Sequence, residues 1–362
     1  MAATKLDIIE FLVKGNVSPI LDVRSPGEFT HAHIPGAISF PLFTDEERKV
    51  VGTLYKQRSR EAAIKSGLDY FGPKMRPMVE QAEQLTDHQH RNGQHRTVLV
   101  HCWRGGMRSG AIAWLLDLYG FKVYTLSGGY KRFRSWTLIQ MEQDWPLQIL
   151  GGHTGSGKTT TLKHLAELGE QAIDLEGLAC HKGSAFGAMD MPPQPTQEMF
   201  ENLLAVELSR KTPKLNAGHR IWIEDESQRI GSINLPNAFW STLRRQKVLF
   251  LDIPFEARLQ YLVETYGRWN KGEIAASITR IQKKLGGLEA KTALGLLIEN
   301  DLKGCFRILL HYYDKLYRKS LMAREQAEQL VTFLEADISA HPDNARSLLN
   351  PTDHANEPRT AH

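Results

Sequence analysis

Nine consecutive residues, 152–160, have the types and spacing of a phosphate-binding loop. In the run GGHTGSGKTT, which begins at residue 151, residues 152–159 match the P-loop pattern G-x-x-x-x-G-K-[ST]. Glycines allow backbone N–H groups to turn toward an anion, and the start of the following helix adds partial positive charge. The lysine reaches the outer phosphates, and the hydroxyl after it binds Mg²⁺. The predicted phosphate-binding residues are Gly152, Gly155, Ser156, Gly157, Lys158, Thr159 and Thr160.

The sequence also offers an acidic partner for the metal ion of this loop. Residues 221–223 are typical of a buried strand, and Glu224 and Asp225 follow directly. A P-loop enzyme needs a carboxylate at the end of a neighbouring strand to hold Mg²⁺, directly or through water. We therefore predict that Thr159 binds the metal together with Glu224 or Asp225. The register of the strand end stays open between these two.

A candidate substrate loop follows the P-loop by one helix. Residues 173–187, IDLEGLACHKGSAFG, are rich in glycine and include several polar side chains. Their position is where related nucleotide kinases bind a second substrate. On the helices further along, three arginines are interpreted as surface charges rather than phosphate ligands: Arg258, Arg268 and Arg280.

A second group of reactive side chains surrounds a cysteine. The run HCWRGGMRSG follows an apolar, strand-like segment and places Cys102 where a strand gives way to a loop and a helix. The loop amides, the helix start and the charges of Arg104 and Arg108 all favour thiolate over thiol. The sequence therefore predicts that Cys102 is a nucleophile with a lowered pKa. Cys180 and Cys305 lack such surroundings.

The length of the cysteine loop allows more than one interpretation. Five residues separate Cys102 from Arg108, and Ser109 follows, which is the H-C-x5-R-[ST] spacing of cysteine phosphatases. In those enzymes the arginine holds a phosphate dianion. The predicted donor-binding loop consists of Trp103, Arg104, Gly105, Gly106, Met107 and Arg108.

Segments on either side of this loop resemble the rhodanese family. The run LDVRSPGEFTHAHIPGAISFPL is similar to the signature D-V-R-x-x-x-E-[FY]-x-x-[GA]-H-I-P-G-A, and VYTLSGGYKRF is similar to the V-x-x-L-x-G-G ending. The resemblance covers residues 8–134 and implies a cysteine that carries sulfur or selenium. The loop is longer than in the usual sulfurtransferase, which favours a larger or more anionic donor. Four residues of the signature are expected to be scaffold rather than catalytic: Asp22, Arg24, Glu28 and His33.

Composition is that of a soluble globular protein. The chain has 362 residues, 41% hydrophobic and 24% charged, which is enough for two domains with separate cores. We find no signal peptide and no uncharged run of membrane-spanning length. Three widely spaced cysteines form neither a disulfide framework nor a zinc pattern. A cytoplasmic protein without a membrane role is expected, and a net charge of +4 permits an anionic partner without requiring one.

Alternating strand-like and helix-like segments predict an α/β fold with parallel sheets. We predict a rhodanese-like domain at 1–136, then a P-loop NTPase-like domain at 137–340 that ends in helices. Residues 255–337 are expected to be mostly helical. The polar, proline-containing segment 341–362 is expected to be a disordered tail.

Basic and aromatic residues alternate in the run YKRFRSW at 130–136. Aromatic rings stack on unpaired bases while lysine and arginine meet phosphates. The pattern predicts an RNA contact through Lys131, Arg132 and Arg134. A similar mixture at 311–319 is explained equally well by ordinary helix packing.

The motifs together resemble one family, the bacterial tRNA 2-selenouridine synthases. The resemblance rests on HCWRGGMRSG, GGHTGSGKTT and WIEDESQRIG in this order and covers nearly the whole chain. It implies an enzyme that replaces the sulfur of wobble 2-thiouridine in tRNA with selenium from selenophosphate, through an S-geranylated intermediate made with geranyl diphosphate. It further implies that Cys102 is catalytic in selenium transfer, that the loop after it receives selenophosphate, and that the P-loop holds a diphosphate with Mg²⁺. The implied partners are the anticodon loop of tRNA and an enzyme that supplies selenophosphate.

Two other functions fit the same motifs. A rhodanese-fold cysteine phosphatase would release phosphate from a phosphorylated substrate, although we locate no general acid for it. A P-loop kinase with a rhodanese module would use ATP and survive the change Cys102→Ser. Whether the P-loop holds geranyl diphosphate or a nucleotide is open from the sequence.

Overall fold

A computed structural model of the chain describes residues 3–91, 95–211 and 220–349. The chain divides into two compact units. Unit 1 comprises Met1–Gln140 and Glu201–Val206, and unit 2 comprises Met141–Phe200 and Glu207–His362. The predicted boundary after residue 136 is therefore too early, because the helix that begins at Gly129 continues to Met141. The sequence also did not indicate that residues 201–206 group with unit 1.

Unit 1 is built on a five-stranded parallel sheet. Its strands are β1 (Thr4–Leu6), β2 (Ile20–Asp22), β3 (Ala37–Ser39), β4 (Thr97–His101) and β5 (Lys122–Leu126). The strand order is β1-β5-β4-β2-β3. The central strand β4 is almost entirely buried, as expected for a parallel strand whose two faces are both covered. The carboxyl end of β4 is where the cysteine loop begins.

The helices of unit 1 cover this sheet and add a helical insertion after β3. They are α1 (Ile8–Gly15), α2 (Pro26–His31), α3 (Asp45–Gln57), α4 (Arg60–Phe71), α5 (Met75–Arg91), α6 (Met107–Leu118) and α7 (Gly129–Met141), with a short 3₁₀ helix at Gly72–Lys74. Helix α3 begins with a capping box between Thr44 and Glu47, and Ser59 caps α4.

Unit 2 contains a second parallel sheet. The strands of the unit are β6 (Leu147–Gly152), β7 (Gln171–Ile173), β8 (Ile221–Glu224), β9 (Arg229–Ile230), β10 (Ile233–Asn234), β11 (Val248–Asp252) and β12 (Val331–Glu335). The parallel sheet has the order β12-β11-β6-β8-β7, and β9 and β10 form a separate antiparallel pair. Residues 255–337 are mostly helical, as predicted, and strand β12 lies near the end of this segment. It pairs in parallel with β11, from Val248 opposite Val331 to Asp252 opposite Glu335.

Ten helices of the described chain begin in unit 2, and one of them, α10, includes the residues 201–206 that group with unit 1. They are α8 (Lys158–Glu167), α9 (Leu175–Ala179), α10 (Gln197–Lys211), α11 (Asn237–Arg244), α12 (Phe255–Tyr266), α13 (Lys271–Leu285), α14 (Gly287–Ile298), α15 (Leu302–Met322), α16 (Ala327–Leu330) and α17 (His341–Leu349). Helices α12 to α15 pack around their own apolar cluster. The predicted α/β class, with a P-loop strand and helix and a helical C-terminal part, is confirmed. Within the described residues, no helix combines the length and apolarity needed to cross a bilayer.

Helix α17 contradicts part of the prediction of a disordered tail. Ala345 and Leu348 are fully buried in a cluster that includes Leu162 and Leu165 of α8. The segment has few apolar residues, but their spacing places them on one helix face, and tertiary packing rather than intrinsic propensity stabilises such a short helix. The prediction is therefore wrong for residues 341–349. Residues 350–362 lie outside the described residues.

This packing predicts a clear stability effect at the end of the chain. Leu348→Ala should lower the free energy of unfolding by about 2–5 kcal/mol, because it removes buried methyl groups and leaves a cavity. The matched control is the exposed neighbour, Ser347→Ala, which should have little effect. Denaturant unfolding of the full chain measures both, and equal midpoints would contradict the packing of α17.

Candidate active site

Cys102 lies directly after β4 and is only 4% exposed. Its Sγ accepts a hydrogen bond from the N–H of Gly106 at 3.3 Å and lies 3.3 Å from Oγ of Ser109. Burial raises the pKa of Cys102, but these contacts, with the backbone N–H groups of Ser109 and Arg104, lower it overall. The lowered pKa agrees with the prediction. Its cause is hydrogen bonding within the loop rather than the nearby guanidinium charges.

Arg108 is held by an acidic residue of α2, Glu28. Its Nη1 donates to Oε2 of Glu28 at 2.8 Å, while Glu28 also accepts from the N–H of Ser25 at the start of α2. Burial alone would raise the pKa of Glu28, but the hydrogen bond and charge of Arg108 lower it below its usual range. Glu28 therefore acts as scaffold, as predicted, and the scaffold reaches the reactive loop. Because 80 residues separate Glu28 from Arg108, the sequence gave no indication of this ion pair.

The remaining residues of the rhodanese-like signature are structural, as predicted. Asp22 and Arg24 are both buried, and Nη2 of Arg24 donates to Oδ2 of Asp22 at 2.6 Å and to the carbonyl oxygen of Ala32 at 2.8 Å. The ring of His33 stacks on Phe29 with the centroids 4.0 Å apart. These contacts fix the segment that carries Glu28.

The backbone at Gly128 and Gly129, directly after β5, packs against the cysteine loop. Gly129 has φ of +59°, and a Cβ there would lie 2.5 Å from the backbone nitrogen of Gly105 and closer still to the carbonyl oxygen of Cys102. The N–H of Tyr130 donates to that same carbonyl oxygen at 2.8 Å. The glycine pair therefore allows the backbone after β5 to touch the loop that holds the sulfur.

Gly129→Ala should disturb both the stability and the reactivity of this loop. The added methyl group overlaps backbone atoms and occupies a left-handed conformation, which costs about 1–3 kcal/mol. Denaturant unfolding and the alkylation rate of Cys102 measure the two effects. Gly110→Ala on α6 is the matched control, because a Cβ there meets no atom within 4 Å. Equal effects of the two changes would contradict the role of Gly129.

Ser109→Ala should shift the titration of Cys102 to higher pH. The hydroxyl of Ser109 lowers the pKa of the thiol, so its removal disfavours the thiolate. Alkylation by iodoacetamide, read at Cys102 by peptide mass spectrometry, should reach half its maximal rate at a lower pH in the wild type than in the variant. Ser135→Ala serves as the control. An unchanged profile for Ser109→Ala would show that the hydroxyl does not stabilise the thiolate.

A cavity of about 640 Å³ opens beside Cys102 within unit 1. The predicted donor-binding loop contributes all of its residues except Gly105 to the lining. Gly105 instead has φ of +63° and lies against the backbone at Leu126. The rest of the lining comes mainly from α3 and α4. The loop is therefore placed to present the sulfur to a molecule bound in this cavity.

The P-loop of unit 2 adopts the backbone that its glycines predict. Gly155 and Gly157 have φ of +79° and +70°, in the left-handed region that favours glycine. Nζ of Lys158 donates to the carbonyl oxygen of Gly152 at 2.9 Å and lies over the ring of Tyr317. Every predicted phosphate-binding residue except Gly152 lines a cavity of about 510 Å³.

The structure distinguishes the two candidate metal ligands. Oγ1 of Thr159 lies 2.6 Å from Oε1 of Glu224 and 3.2 Å from Oε2 of Glu176. Asp225 instead accepts from Tyr317 at 2.6 Å and pairs with the buried Arg324. Glu224, and not Asp225, therefore stands beside the threonine of the P-loop. Glu176 was not singled out from the sequence, although it lies in the segment 173–187 that was predicted to bind substrate.

The oxygen atoms of Glu224 and Glu176 beside the Thr159 hydroxyl could bind a cation. Burial raises the pKa of Glu224 to about 8, and the neighbouring carboxylate of Glu176 adds to this effect. Two crowded carboxylates and a hydroxyl are oxygen ligands of the kind that Mg²⁺ prefers. Among the described residues, no set of three or more His, Cys, Asp or Glu side chains is arranged to hold a metal ion. A Mg²⁺ ion here would therefore depend on the Thr159 hydroxyl and on phosphate oxygens as well.

Two residues far along the chain position the P-loop. The hydroxyl of Tyr317 accepts from the N–H of Gly152 at 3.2 Å, although 165 residues separate them. Arg258 donates to the carbonyl oxygen of Thr154 at 3.1 Å and pairs with Asp314 at 2.7 Å. Because Arg258 is buried, its interpretation as a surface charge is wrong. Neither role has a local signal in the sequence.

The packing of unit 1 leaves only part of the predicted RNA contact at 130–136 accessible. Arg134 forms an ion pair with Glu201 at 2.7 Å, whereas Lys131 and Arg132 are exposed. The aromatic residues of the segment are buried and cannot stack on bases, so that part of the prediction is wrong: Tyr130, Phe133 and Trp136.

Comparison with known proteins accounts for both units. The rhodanese-like domain family matches residues 7–135, and the family described as the tRNA 2-selenouridine synthase AAA domain matches residues 145–341. Curated relatives named tRNA 2-selenouridine synthase occur in several bacteria. The protein of Sulfurovum sp. (strain NBC37-1) is 33% identical, with 88% of this chain and 95% of that protein covered. That of Hydrogenovibrio crunogenus is 34% identical, with 88% and 93% covered.

The relative from Nitrosomonas europaea is 38% identical over 69% of this chain, and the match spans 63% of that protein. The family match over residues 145–341 covers more than half of the chain, and the longer alignments include both units. The chain therefore belongs to the tRNA 2-selenouridine synthase family.

Proposed function

We propose that this chain replaces the sulfur of wobble 2-thiouridine in tRNA with selenium from selenophosphate. In this proposal the sulfur is first geranylated with geranyl diphosphate, which makes it a leaving group. The names of the relatives support tRNA as the substrate. The observation that carries the two-step proposal is the presence, in one chain, of a loop that stabilises a cysteine thiolate and a separate phosphate-binding loop.

In the geranylation step, the P-loop of unit 2 would hold the diphosphate. The C–O bond of geranyl diphosphate breaks, a C–S bond forms with the thiouridine sulfur, and diphosphate leaves. Lys158 and the N–H groups at the start of α8 would stabilise the charge that develops on the leaving diphosphate. Mg²⁺, held by Thr159, Glu224 and Glu176, would supply further positive charge when bound.

The lining of the P-loop cavity favours binding of a prenyl diphosphate over binding of a nucleoside triphosphate. Apolar and aromatic side chains adjoin the phosphate loop, and they offer surface to a hydrocarbon chain: Met191, Tyr261, Tyr266, Tyr313, Leu316 and Tyr317. The overall reaction also transfers no phosphoryl group to RNA. Geranyl diphosphate is therefore our proposed ligand for this loop.

In the selenium-transfer step, Cys102 would be the catalytic residue. The Cys102 thiolate forms a bond to C2 of the base, the C2–S bond to the geranylated sulfur breaks, and geranylthiol leaves after taking a proton from water. The selenium of selenophosphate then bonds to C2, and the bond between C2 and the Cys102 sulfur breaks, which returns the thiolate. Hydrolysis of the Se–P bond then releases phosphate. The lowered pKa of Cys102 supports its role as nucleophile in this exchange, because thiolate rather than thiol is reactive. The residues after it would receive the anionic donor, through the loop N–H groups and the exposed Arg104.

Omitting one substrate at a time tests this proposal. The purified full chain is incubated with tRNA containing 2-thiouridine, and the nucleosides are analysed by mass spectrometry. Geranyl diphosphate alone should yield S-geranyl-2-thiouridine, and adding selenophosphate should yield 2-selenouridine. Formation of 2-selenouridine without geranyl diphosphate would overturn the two-step route. If neither product forms, phosphate release from phosphorylated substrates or from ATP would favour the phosphatase or the kinase.

A further inference from the structure

The cavity beside Cys102 has a chemistry that selenophosphate does not explain. A small tetrahedral anion needs hydrogen-bond donors, which the loop N–H groups supply, and gains nothing from hydrocarbon. Yet the cavity, at about 640 Å³, is of the size that holds an organic ligand rather than an ion. Much of its lining is apolar, including Leu42, Phe43, Val51, Ile64, Leu68 and Phe71. A second, apolar group is therefore expected to occupy it.

The apolar surface is left open by the helical insertion of unit 1. Helix α3 has no fully buried residue, although an amphipathic helix normally buries its apolar face. Large apolar side chains that remain exposed in a contiguous patch mark a binding site. Five of the exposed large apolar residues of the described chain line this one cavity: Tyr55, Ile64, Leu68, Trp103 and Met107.

The charges around the cavity limit the kind of ligand. Lys49, Lys56 and Arg104 are exposed and belong to its lining, together with Arg48. Basic side chains of this kind meet the phosphates of nucleic acid. The ligand that fits has a hydrocarbon chain for the apolar wall, a reacting centre near the Cys102 sulfur, and an anionic polymer that continues along the basic rim.

We propose that this cavity binds the geranyl chain of S-geranyl-2-thiouridine in RNA during selenium transfer. The inference rests on the proposed function and adds a second prenyl site, in unit 1, that is separate from the P-loop cavity of unit 2. Binding the geranyl group here places the C2–S bond, which must break in selenium transfer, beside Cys102. It also makes the prenyl group a recognition element, so that the cysteine loop accepts geranylated RNA and rejects 2-thiouridine that has not been geranylated.

Binding of two matched RNAs tests the inference. A fluorescent anticodon stem-loop with S-geranyl-2-thiouridine and the same RNA with 2-thiouridine are titrated with the full chain, without selenophosphate. Burial of the hydrocarbon should make the geranylated RNA bind at least about tenfold more tightly. Equal dissociation constants for the two RNAs would overturn the proposal.

A substitution that fills the cavity assigns the preference to this site. Gly52 on α3 belongs to the lining, and a Cβ there meets no atom within 4 Å, so Gly52→Leu places a side chain in open space. The ratio of the two dissociation constants should fall to about one. Gly295→Leu on α14, where a Cβ also meets no atom within 4 Å, is the matched control and should keep the ratio. Retention of the ratio by Gly52→Leu would place the prenyl site elsewhere.

A second variant guards against misfolding of the first. Leu68 is 57% exposed, so Leu68→Ser removes cavity hydrocarbon with little cost to folding, and it should lower the ratio several-fold. The failure of this inference is distinguishable from that of the proposed function. If the wild type makes S-geranyl-2-thiouridine but binds both RNAs equally, only the prenyl site in unit 1 is wrong. If it makes none, the proposed function itself fails.

Discussion

Cys102→Ser should abolish 2-selenouridine formation and cause S-geranyl-2-thiouridine to accumulate. The loop around Cys102 stabilises a thiolate through Gly106 and Ser109, and a serine hydroxyl at the same place stays protonated and is a far weaker nucleophile. Geranylation should continue, because the phosphate-binding residues assigned to it belong to unit 2. Nucleoside mass spectrometry on tRNA from cells that lack the gene and are complemented with each variant measures both products.

Cys180→Ser is the matched control for this experiment. Cys180 is a free cysteine of the same chain and, although it belongs to the segment 173–187, it lines neither the cavity beside Cys102 nor the P-loop cavity. It should support normal levels of 2-selenouridine. Undiminished 2-selenouridine with Cys102→Ser would exclude the cysteine from the chemistry. Loss of the geranylated nucleoside as well would mean that the two steps are not divided between the units.

Lys158→Ala should weaken the binding of geranyl diphosphate by about tenfold to a hundredfold, because a charged hydrogen bond contributes about 1.5–3 kcal/mol. The lysine amine now donates to the carbonyl oxygen of Gly152, and an anion in the loop offers it a stronger acceptor. Both S-geranyl-2-thiouridine and 2-selenouridine should be lost. Equilibrium binding to the purified full chain and nucleoside mass spectrometry measure these effects.

The control for the second prediction is Lys291→Ala, which removes an exposed charge from α14. It should leave geranyl diphosphate binding at the wild-type level. Saturable binding of geranyl diphosphate that is unaffected by Lys158→Ala would show that the P-loop holds something else. In that case direct titration of the wild type and of Lys158→Ala with ATP and GTP would identify a nucleotide as the ligand of the P-loop.

The structure decides which of two successive carboxylates lies beside the threonine of the P-loop. Between the two acidic residues after β8, Glu224 contacts Thr159, while Asp225 is engaged by Arg324 and Tyr317. Successive residues at a strand end point in different directions, so a shift of one position decides which carboxylate meets the P-loop. The sequence cannot supply that register, because it depends on how β8 pairs with β6.

The sequence by itself determined the features that are written in contiguous residues. The P-loop, the loop after Cys102 and the strands that precede them are local, because a few successive residues specify both the backbone conformation and the chemical groups that it presents. The glycines at 155 and 157 show this, since their left-handed φ values are the ones that the motif requires. The rhodanese-like segment was recognisable for the same reason.

Only the tertiary structure decided which distant residues complete each site. Glu28 meets Arg108, Tyr317 meets Gly152, and Glu176 meets Thr159 because strand order and helix packing bring them together, and no spacing in the sequence encodes these distances. Packing also decided that residues 341–349 form a buried helix and that the aromatic residues of 130–136 belong to a core. The apolar cavity beside Cys102 arises in the same way. A cavity is the space left by side chains from separate elements, so its size and lining exist only once those elements have packed.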